Sequence, residues 1–353
     1  MVRLLRKSLV LVLLVYLSVL AALNSSPEPF SSNLGFVAPL LHHKHSNITS
    51  LFCPNSGAAM TSRLRAFFYV SFSIGHLQTY ANLDTGSIFT WLQAQQCEIC
   101  YDQGATPRYD YQKSSSYAVI GCGDEPCNPH LYGGPLSVVC VKHECQYNAA
   151  YPYDGTKSLG VLGKDALTLL SDTKKMIPVT LPGVVIGHDI YNYKLPQSQV
   201  GPGIIGLTQG CYRFLDSTWV SSFFHGIPTG HLDVGFIRFG SQAILTGQSI
   251  PLLHDEDGLY RIQMNGIVVS GQAFNIPSPI FDEGMVITTG IPITIIDQSI
   301  YNPIINRVTS LIKATPTREG GMYPCYRNLD VTKDVEIAFA LPGYQYELKS
   351  NQI

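Results

Sequence analysis

Residues 80–91 read YANLDTGSIFTW, and residues 285–296 read MVITTGIPITII. Each stretch is an apolar, β-branched and aromatic run interrupted by a short polar turn that ends in a glycine, Gly86 or Gly290. This plan predicts a strand, a tight turn and a second strand in each half of the chain. The turns differ in charge, because the first contains Asp84 whereas the second contains Thr288 and Thr289 and no carboxylate.

The composition describes a globular protein without a strong electric field. The chain has 353 residues, of which 45% are apolar and 14% charged, and its net charge is −2. That length accommodates two domains or one large bilobed domain. Nucleic acid is disfavoured as a partner, because phosphate binding requires clustered Lys and Arg. The sequence contains no phosphate-binding glycine loop and no paired metal half-site, so neither a cofactor nor a metal is predicted.

The N-terminus predicts entry into the secretory pathway. Arg3, Arg6 and Lys7 precede an apolar run over residues 9–23, which is typical of a signal peptide over residues 1–24. A retained membrane anchor is the alternative, although the run is shorter than the roughly 20 residues that span a bilayer. Secretion to the extracellular space, cell wall or vacuole is therefore expected, with no membrane contact once the signal is removed.

Residues 25–66 are rich in His, Ser and Asn, and they show no sustained periodicity. They include a glycosylation sequon at Asn47 and three neighbouring histidines, His42, His43 and His45, that lack further metal ligands nearby. This segment is interpreted as a polar, pro-segment-like region.

Six of the nine cysteines fall within fifty residues as three pairs, Cys97/Cys100, Cys122/Cys127 and Cys140/Cys145. A zinc site would need a second half-site of matching type. In an oxidising compartment disulfides are the favoured interpretation, with their connectivity left open. Cys53, Cys211 and Cys325 are scattered, and the odd total leaves at least one thiol without an intramolecular partner.

From Tyr69 onward the sequence consists of short β-rich runs separated by Gly, Pro, Asn and Asp, which predicts an all-β protein with few short helices. The best helical pattern is QSIYNPIINRVTSLIKA, in which Ile300, Ile304, Val308 and Leu311 recur at a spacing of about 3.6 residues. Pro303 is expected in the first turn of this helix, where its missing N–H costs little.

Five segments in order resemble the pepsin-like aspartic proteases, and in particular the secreted, nepenthesin-like plant branch. These are FYVSFSIG with the following DTGS loop, the cysteine-rich stretch from Gln95 to Cys127, CQYNAAYPYDGTKSLGVLGKDALTL, GPGIIGLTQG and GFIRFG. The resemblance covers Tyr69 to about Tyr301 and implies a bilobed fold. It places an N-terminal β lobe at residues 67–245 and a partial C-terminal β lobe at residues 246–353.

The resemblance also implies roles for residues of the first loop. Asp84 matches the first aspartate of the catalytic dyad, and Tyr151 matches the flap tyrosine that covers the substrate. Thr85 and Ser87 are expected to hydrogen-bond around the carboxylate, while Gly86 permits a tight turn against the opposite loop. Pro152 departs from the usual flap sequence and is expected to stiffen it.

The second loop departs from the family's pattern at the position of the second catalytic aspartate. Aligning the helix through Tyr301 places Thr288 at the position of the second aspartate and retains Gly290. Two carboxylates about 3 Å apart share one proton, which a threonine hydroxyl cannot do. Asp84 alone is expected to titrate near the ordinary value of about 3.9. Asp282 and Asp297 are weak substitutes, since Asp282 precedes the strand and Asp297 lacks the glycine turn.

The second lobe is further expected to stop before its closing strands, because no apolar-apolar-Gly segment follows Thr288. Thr288→Asp alone is therefore expected not to restore turnover. The chain is interpreted as an aspartic endopeptidase relative with little or no hydrolytic activity, which binds a peptide or protein in the interlobe cleft. The alternatives are a non-catalytic protein-binding relative resembling secreted xylanase-inhibitor-like proteins, a working acid endopeptidase, and a diverged copy without a specific function.

Overall fold

The computed structural model describes sixteen segments of the chain. They are residues 9–11, 35–42, 68–132, 136–151, 155–170, 177–193, 201–208, 223–226, 234–240, 249–253, 258–275, 282–291, 294–312, 317–318, 324–325 and 335–348.

The described residues are predominantly β-strand, as the sequence predicts. In chain order the strands are β1 (Leu9–Leu11), β2 (Gly35–His42), β3 (Phe68–Ile74), β4 (Leu77–Asp84), β5 (Trp91–Gln93), β6 (Ala118–Val119), β7 (Leu136–Val141), β8 (Glu144–Tyr151), β9 (Thr156–Leu170), β10 (Pro178–Tyr193), β11 (Gly203–Gly206), β12 (Phe223–Gly226), β13 (Val234–Gly240), β14 (Leu252–Leu253), β15 (Arg261–Ile262), β16 (Gly266–Val269), β17 (Gln272–Asn275), β18 (Met285–Ile287), β19 (Thr317–Arg318), β20 (Pro324–Cys325), β21 (Ile337–Leu341) and β22 (Tyr344–Glu347). Within the segments given above, the helical elements are three short 3-10 turns, Tyr111–Lys113, Glu125–Cys127 and Pro129–Leu131, and one α-helix, α1 (Gln298–Ile312).

The first lobe is built on a twelve-stranded sheet in the order β12-β13-β2-β3-β4-β11-β5-β10-β9-β8-β7, with β6 paired to β9. Strand β3 shows why these sequences form a sheet that is packed on one face. Its residues are alternately buried and half-buried, with Phe68, Val70, Phe72 and Ile74 directed into the core. Successive side chains of a strand point to opposite faces, so this alternation fixes which face is buried.

The described part of the second lobe contains two four-stranded sheets, β1-β18-β15-β14 and β17-β16-β21-β22, with β19 and β20 as a separate antiparallel pair. Helix α1 packs on this core through Ile300, Ile304 and Ile312, and Val308 and Leu311 contact the same cluster while partly exposed. The predicted helix is therefore present. Pro303 lies in its second turn instead of its first, because the helix begins at Gln298, so residue 303 cannot donate to the Ser299 carbonyl.

Three disulfides connect the six clustered cysteines, as the sequence indicated, in the pairing Cys97–Cys100, Cys122–Cys140 and Cys127–Cys145. Cys140 and Cys145 are cross-strand partners in the β7–β8 hairpin, yet they bond to two different cysteines of the preceding segment. The hairpin is thus attached twice to the cysteine-rich stretch. Cys53 and Cys211 lie outside the described residues.

The N-terminal predictions fall largely outside the described residues, including most of residues 1–24 and the sequon at Asn47. Two strands come from this part of the chain, and neither was predicted. Strand β1 pairs in parallel with β18, and β2 lies between β3 and β13 in the first-lobe sheet. Among the described residues, no helix combines the length and apolar character needed to cross a membrane.

Two adjacent buried residues on β10, His188 and Asp189, have pKa values displaced in opposite directions. The His188 ring stacks on Tyr111 at 4.2 Å between centroids and lies 3.1 Å from the Tyr117 hydroxyl, and burial lowers its pKa to about 4. Asp189 accepts a 2.9 Å hydrogen bond from the Ala94 N–H, and burial raises its pKa to about 7. Hydrogen bonds from the Asn192 side chain and the Ala94 N–H offset only part of the effect of burial. Both side chains therefore favour their neutral forms in the folded lobe.

These shifts predict opposing effects of pH on stability. His188 contributes stability that is complete above its ordinary pKa of 6.5 and is lost as the pH falls toward 4. Asp189 contributes stability that is complete below its ordinary pKa of 3.8 and is lost as the pH rises through 7. In Asp189→Asn the free energy of unfolding should therefore rise, relative to wild type, by about 1.4 kcal/mol for each pH unit between 4 and 6.5.

Urea denaturation across this pH range measures the slope. His188→Gln is the matched control, since it should change the slope by a similar amount in the opposite direction. Parallel profiles for the two variants and the wild type would contradict the assignment of neutral forms to these two side chains.

Candidate functional site at the junction of the two lobes

The candidate site is formed where the two quoted loops meet. Strand β4 ends at Asp84, and Thr288 directly follows β18, so the two side chains face each other across the junction. The Thr288 hydroxyl donates a 3.1 Å hydrogen bond to Asp84 Oδ1, and the Gly86 N–H donates a 2.7 Å bond to the same oxygen. Both side chains are buried, with 8% of Asp84 and 5% of Thr288 exposed. The side chain of the second lobe that hydrogen-bonds to Asp84 is therefore an alcohol.

The two loops are held together by a symmetric set of four hydrogen bonds. The Thr85 N–H donates to Thr289 Oγ1 at 3.1 Å, and the Thr289 N–H donates to Thr85 Oγ1 at 3.0 Å. Each hydroxyl then donates to a carbonyl of the opposite lobe, Thr85 to Ile287 at 3.5 Å and Thr289 to Leu83 at 2.7 Å. Every donor in this set has an acceptor, so the geometry of the junction does not depend on a second carboxylate.

Gly86 and Gly290 occupy equivalent positions in the two loops. The Gly290 N–H donates to Thr288 Oγ1 at 3.0 Å, as the Gly86 N–H donates to the Asp84 carboxylate. A β-carbon at Gly290 would collide with the Asp84 carboxylate, and one at Gly86 would lie 2.7 Å from Thr288 Oγ1. Both positions thus require glycine because the opposite loop approaches so closely.

Gly290→Ala is expected to destabilise the junction by about 1–3 kcal/mol, since the added methyl group overpacks a buried site. Urea denaturation measures the loss. Gly123→Ala is the matched control, because no atom lies within 4 Å of a β-carbon at that position and its φ is not positive. Equal stability of the two variants would contradict the close approach of the loops.

The environment of Asp84 favours its neutral form more than the sequence suggested. Burial raises the pKa of Asp84 above its ordinary value, and the hydrogen bonds from the Gly86 N–H, Thr288 and the Ser87 N–H offset only part of this effect. The sequence predicted that the pKa of Asp84 would lie near the ordinary value of an aspartate, and this prediction was wrong. Sequence reasoning considered only the loss of the second charge, whereas desolvation disfavours the remaining charge as well.

Tyr151 lies at the end of β8 and is anchored to the first loop. Its hydroxyl accepts a 2.7 Å hydrogen bond from Trp91 Nε1 and lies 3.4 Å from Ser87 Oγ. Ser87 Oγ also donates to the Phe89 carbonyl at 3.3 Å. The Thr85 and Ser87 hydroxyls therefore bond to carbonyls and not to the Asp84 carboxylate, while the Ser87 N–H is the group of these two residues that bonds to that carboxylate. Residues 152–154, including Pro152, lie outside the described residues.

Neither of the two other acids considered from the sequence makes a described contact with Asp84. Asp297 caps helix α1, where its Oδ1 accepts from the Ser299 N–H at 2.8 Å and its carbonyl accepts from Tyr301. Asp282 is exposed and precedes β18. Among the described residues no group of three or more His, Cys, Asp or Glu side chains could hold a metal ion.

Two contributions to this site were missed from the sequence. The role of Thr289 in joining the lobes was not predicted, although the Thr-Gly repeat in the two loops is a signal that could have suggested it. The hydrogen bond from Trp91 to Tyr151 was also missed, because the two residues are sixty positions apart. Strands β5 and β8 belong to the same sheet with β10 and β9 between them, so only the folded sheet brings these two side chains together.

Family models match both lobes. The model described as "Xylanase inhibitor N-terminal" matches residues 68–241, and the model described as "Xylanase inhibitor C-terminal" matches residues 259–353. Solved structures of similar fold include basic 7S globulin from soybean, with a TM-score of 0.62, 17% identity and coverage of 90% of this chain and 81% of that one. Conglutin gamma from lupine seeds gives a TM-score of 0.63 at 16% identity, with 90% and 82% covered. At these identities the likeness concerns the fold alone.

Curated relatives include aspartic proteinase nepenthesin-2 of Nepenthes gracilis, which is 27% identical over 70% of this chain and 56% of its own length. The Arabidopsis thaliana protein ASPARTIC PROTEASE IN GUARD CELL 2 is 26% identical over 63% of this chain and 47% of its own length. The chain thus spans about half the length of these relatives. With both lobes matched by family models and with the paired loops in place, the chain belongs to the pepsin-like aspartic protease family, in its nepenthesin-like plant branch.

Proposed function

We propose that this protein binds an extended peptide or protein segment in the cleft between its lobes and hydrolyses it little or not at all. The observation that carries the proposal is the 3.1 Å hydrogen bond from the Thr288 hydroxyl to Asp84 Oδ1. In this arrangement the junction is intact while the second acid is absent. Such a cleft can still bind a peptide, but it lacks the second acid that hydrolysis of the peptide requires.

The chemistry of peptide hydrolysis explains the expected loss. Attack on the carbonyl requires one group to take a proton from water and another to give a proton to the reacting oxygen or the leaving nitrogen. A pair of carboxylates does both by sharing one proton. Here Asp84 accepts from Thr288, and an alcohol does not ionise in the pH range where the protein is folded. Asp84 acting as a base therefore has no acid partner across the cleft.

Binding is expected to depend on Tyr151, whose hydroxyl is fixed by Trp91 beside the first loop. Fluorescence anisotropy with a labelled peptide pool from digested globin should detect binding, and Tyr151→Ala should weaken it by about tenfold, because an interface aromatic of this kind contributes more than 1 kcal/mol. Tyr344→Ala is the matched control, since Tyr344 is 42% exposed on β22 in the second lobe. Identical affinities of the two variants would contradict peptide binding beneath Tyr151.

A second candidate function is binding of a folded glycoside hydrolase without proteolysis. It is favoured by the descriptions of the two matching family models, which both name xylanase inhibitors. An assay of xylanase activity with added protein tests it directly. A dose-dependent loss of xylanase activity would support this candidate over peptide capture, provided that Tyr151→Ala leaves the inhibition unchanged.

We further propose a division into lobes near residue 245 and a location in an oxidising compartment outside the cytoplasm. Strands of the twelve-stranded sheet extend to β13 at Gly240, and strands of the second lobe begin with β14 at Leu252, apart from β1. The three disulfides and the nepenthesin relatives support the compartment. Intact mass under reducing and non-reducing conditions tests the disulfides, since three bonds correspond to six fewer hydrogens.

A further inference from the structure

The two oxygens of the Asp84 carboxyl group have different surroundings at the junction. Oδ1 accepts a 2.7 Å hydrogen bond from the Gly86 N–H and a 3.1 Å hydrogen bond from the Thr288 hydroxyl. Two donors occupy the two lone pairs of a carboxyl oxygen. Oδ2 accepts neither bond, and it is close to the second loop, since it lies 2.5 Å from the position of a β-carbon added at Gly290. A ligand that bonds to Asp84 must therefore use Oδ2.

The Thr288 hydroxyl has no proton to offer to a ligand. It accepts a hydrogen bond from the Gly290 N–H at 3.0 Å and donates its single proton to Asp84 Oδ1. Threonine also carries no charge, whereas a second carboxylate in its place would leave the pair with one negative charge after sharing a proton. The pair of Asp84 and Thr288 is therefore uncharged whenever Asp84 is protonated.

The proton of a neutral Asp84 has one place in this arrangement. Because the lone pairs of Oδ1 face the Gly86 N–H and the Thr288 O–H, the proton lies on Oδ2. Burial favours this form, since Asp84 is 8% exposed and desolvation raises its pKa above the ordinary value of 3.8 despite the hydrogen bonds that it accepts. A neutral Asp84 thus presents an O–H donor at Oδ2, where an ionised Asp84 would present an acceptor.

In the part of the chain that the structure describes, no charged side chain shifts the pKa of Asp84. This holds for Arg261 on β15, the strand adjacent to β18. Two titratable hydroxyls lie near the junction and are directed elsewhere. That of Tyr151 bonds to groups of the first lobe, and that of Tyr260 donates to the Leu207 carbonyl at 2.6 Å. The pH and the ligand therefore decide whether Asp84 is neutral.

We infer that Asp84 binds the peptide as a neutral acid, with its Oδ2–H donating a hydrogen bond to a backbone carbonyl of an uncut segment. The inference rests on the peptide binding proposed above and identifies the group of the peptide that the junction recognises. An internal carbonyl suits this place because it is an uncharged acceptor. A C-terminal carboxylate does not suit it, since its charge would be desolvated beside a neutral acid and an alcohol without a counter-charge.

The donated hydrogen bond makes the affinity depend on pH in one direction. The proton is present below the pKa of Asp84 and absent above it, so the peptide should bind most tightly in acid. Between pH 4 and 7 the affinity should fall about tenfold, which is the typical effect of one lost hydrogen bond. By linkage, the peptide in turn raises the pKa of Asp84 and takes up protons as it binds.

Asp84→Asn separates the donor from the charge, because its amide keeps an acceptor oxygen at the Oδ1 position and places an N–H donor at the Oδ2 position at every pH. Fluorescence anisotropy with the labelled globin peptide pool measures the affinities. Wild type should bind about tenfold more weakly at pH 7 than at pH 4. Asp84→Asn should bind at pH 7 as tightly as wild type does at pH 4. Titration of the peptides themselves affects all variants alike.

Asp102→Asn is the matched control. Asp102 is exposed, and its Oδ1 accepts a 2.9 Å hydrogen bond from the Gly104 N–H, in the same Asp-x-Gly arrangement as Asp84 and Gly86. This substitution removes a carboxylate in the same local geometry outside the junction. The Asp102→Asn variant should therefore reproduce the wild-type pH profile.

Proton uptake tests the inference without a substitution. A peptide from globin with apolar side chains and blocked termini is titrated in a calorimeter, in two buffers of different ionisation enthalpy. At the pH midway through the fall in affinity, wild type should take up about half a proton per peptide, as linkage requires for a tenfold effect. Asp84→Asn should take up none. A carboxylate that only supports the loop would not produce this uptake.

Several results would overturn the inference. Wild-type affinity that stays constant or rises from pH 4 to 7, or binding without proton uptake, would show that the peptide does not use the proton of Asp84. An Asp84→Asn protein that is folded by circular dichroism and keeps the wild-type pH profile would place the titrating group elsewhere. A folded Asp84→Asn protein that no longer binds would show that the carboxylate itself is needed. Absence of binding by all three proteins would instead overturn the proposed peptide binding, and the inference with it.

Discussion

Purified protein incubated with acid-denatured globin between pH 3 and 5 is expected to release peptides at least about 10⁴-fold more slowly than a two-aspartate member of the family, since removal of one member of a catalytic unit typically has that effect. The physical reason is that Asp84 has a threonine hydroxyl, and not a second carboxylate, as its partner from the second lobe. The Thr288 hydroxyl donates to Asp84 Oδ1 and cannot exchange roles with it as a second carboxylate would. Burial further raises the pKa of Asp84, which reduces the fraction of the base form in the acid range.

The measurement is release of acid-soluble peptides, with nepenthesin-2 as the active comparison. Asp84→Asn is the control for contaminating proteases, because it removes the carboxylate while preserving a side chain of the same shape. Cleavage that pepstatin inhibits and that disappears in Asp84→Asn would contradict the prediction and establish a single-aspartate mechanism. Residual cleavage that persists in Asp84→Asn would originate elsewhere.

Trp91→Ala is expected to cause the largest loss of stability of any single substitution considered, about 3–5 kcal/mol, as is typical of a buried tryptophan replaced by alanine. Trp91 is fully buried in the cluster that also contains Phe89 and Tyr147. Its backbone pairs with both β10 and β11, so the cavity would open at the centre of the first-lobe sheet. The Tyr151 hydroxyl would also lose its donor.

Urea denaturation measures this loss, and two variants separate its causes. Trp91→Phe retains most of the apolar volume and removes the indole N–H, so it should cost less stability while still releasing Tyr151. Ile99→Ala, at a position that is 57% exposed, should change stability by less than about 0.5 kcal/mol. A Trp91→Ala protein within 1 kcal/mol of wild type would contradict the central position of Trp91 in the core.

Local pattern was sufficient for much of the fold. The β-rich runs between Gly, Pro, Asn and Asp residues predicted the strands, and the 3.6-residue spacing predicted α1. The two polar-x-Gly turns predicted a pair of related loops, and the structure brings Asp84 and Thr288 to 3.1 Å from each other. The runs, the helical spacing and the two turns each lie within a short stretch of sequence, and so they are visible without knowledge of the fold.

Other features could not be predicted because they depend on contacts between distant residues. The cysteine spacing indicated disulfides and left fifteen possible pairings of six cysteines, which the approach of the β7–β8 hairpin reduces to one. The N-terminal region was interpreted from composition as a leader and a polar pro-segment, yet Leu9–Leu11 and Gly35–His42 each add a strand to a sheet. The composition of a segment does not indicate which edge of a β-sheet the segment pairs with.

The sequence by itself determined the identity of the groups at the lobe junction, because Asp84 is a carboxylic acid and Thr288 an alcohol in any conformation. Only the tertiary structure decided how those groups act on each other. It showed that Thr85 and Thr289 join the loops, that burial raises the pKa of Asp84, and that burial on one strand lowers the pKa of His188 and raises that of Asp189. Desolvation and hydrogen bonds between the lobes are both properties of packing, and the bonds at the junction form only when residues 204 positions apart are brought together.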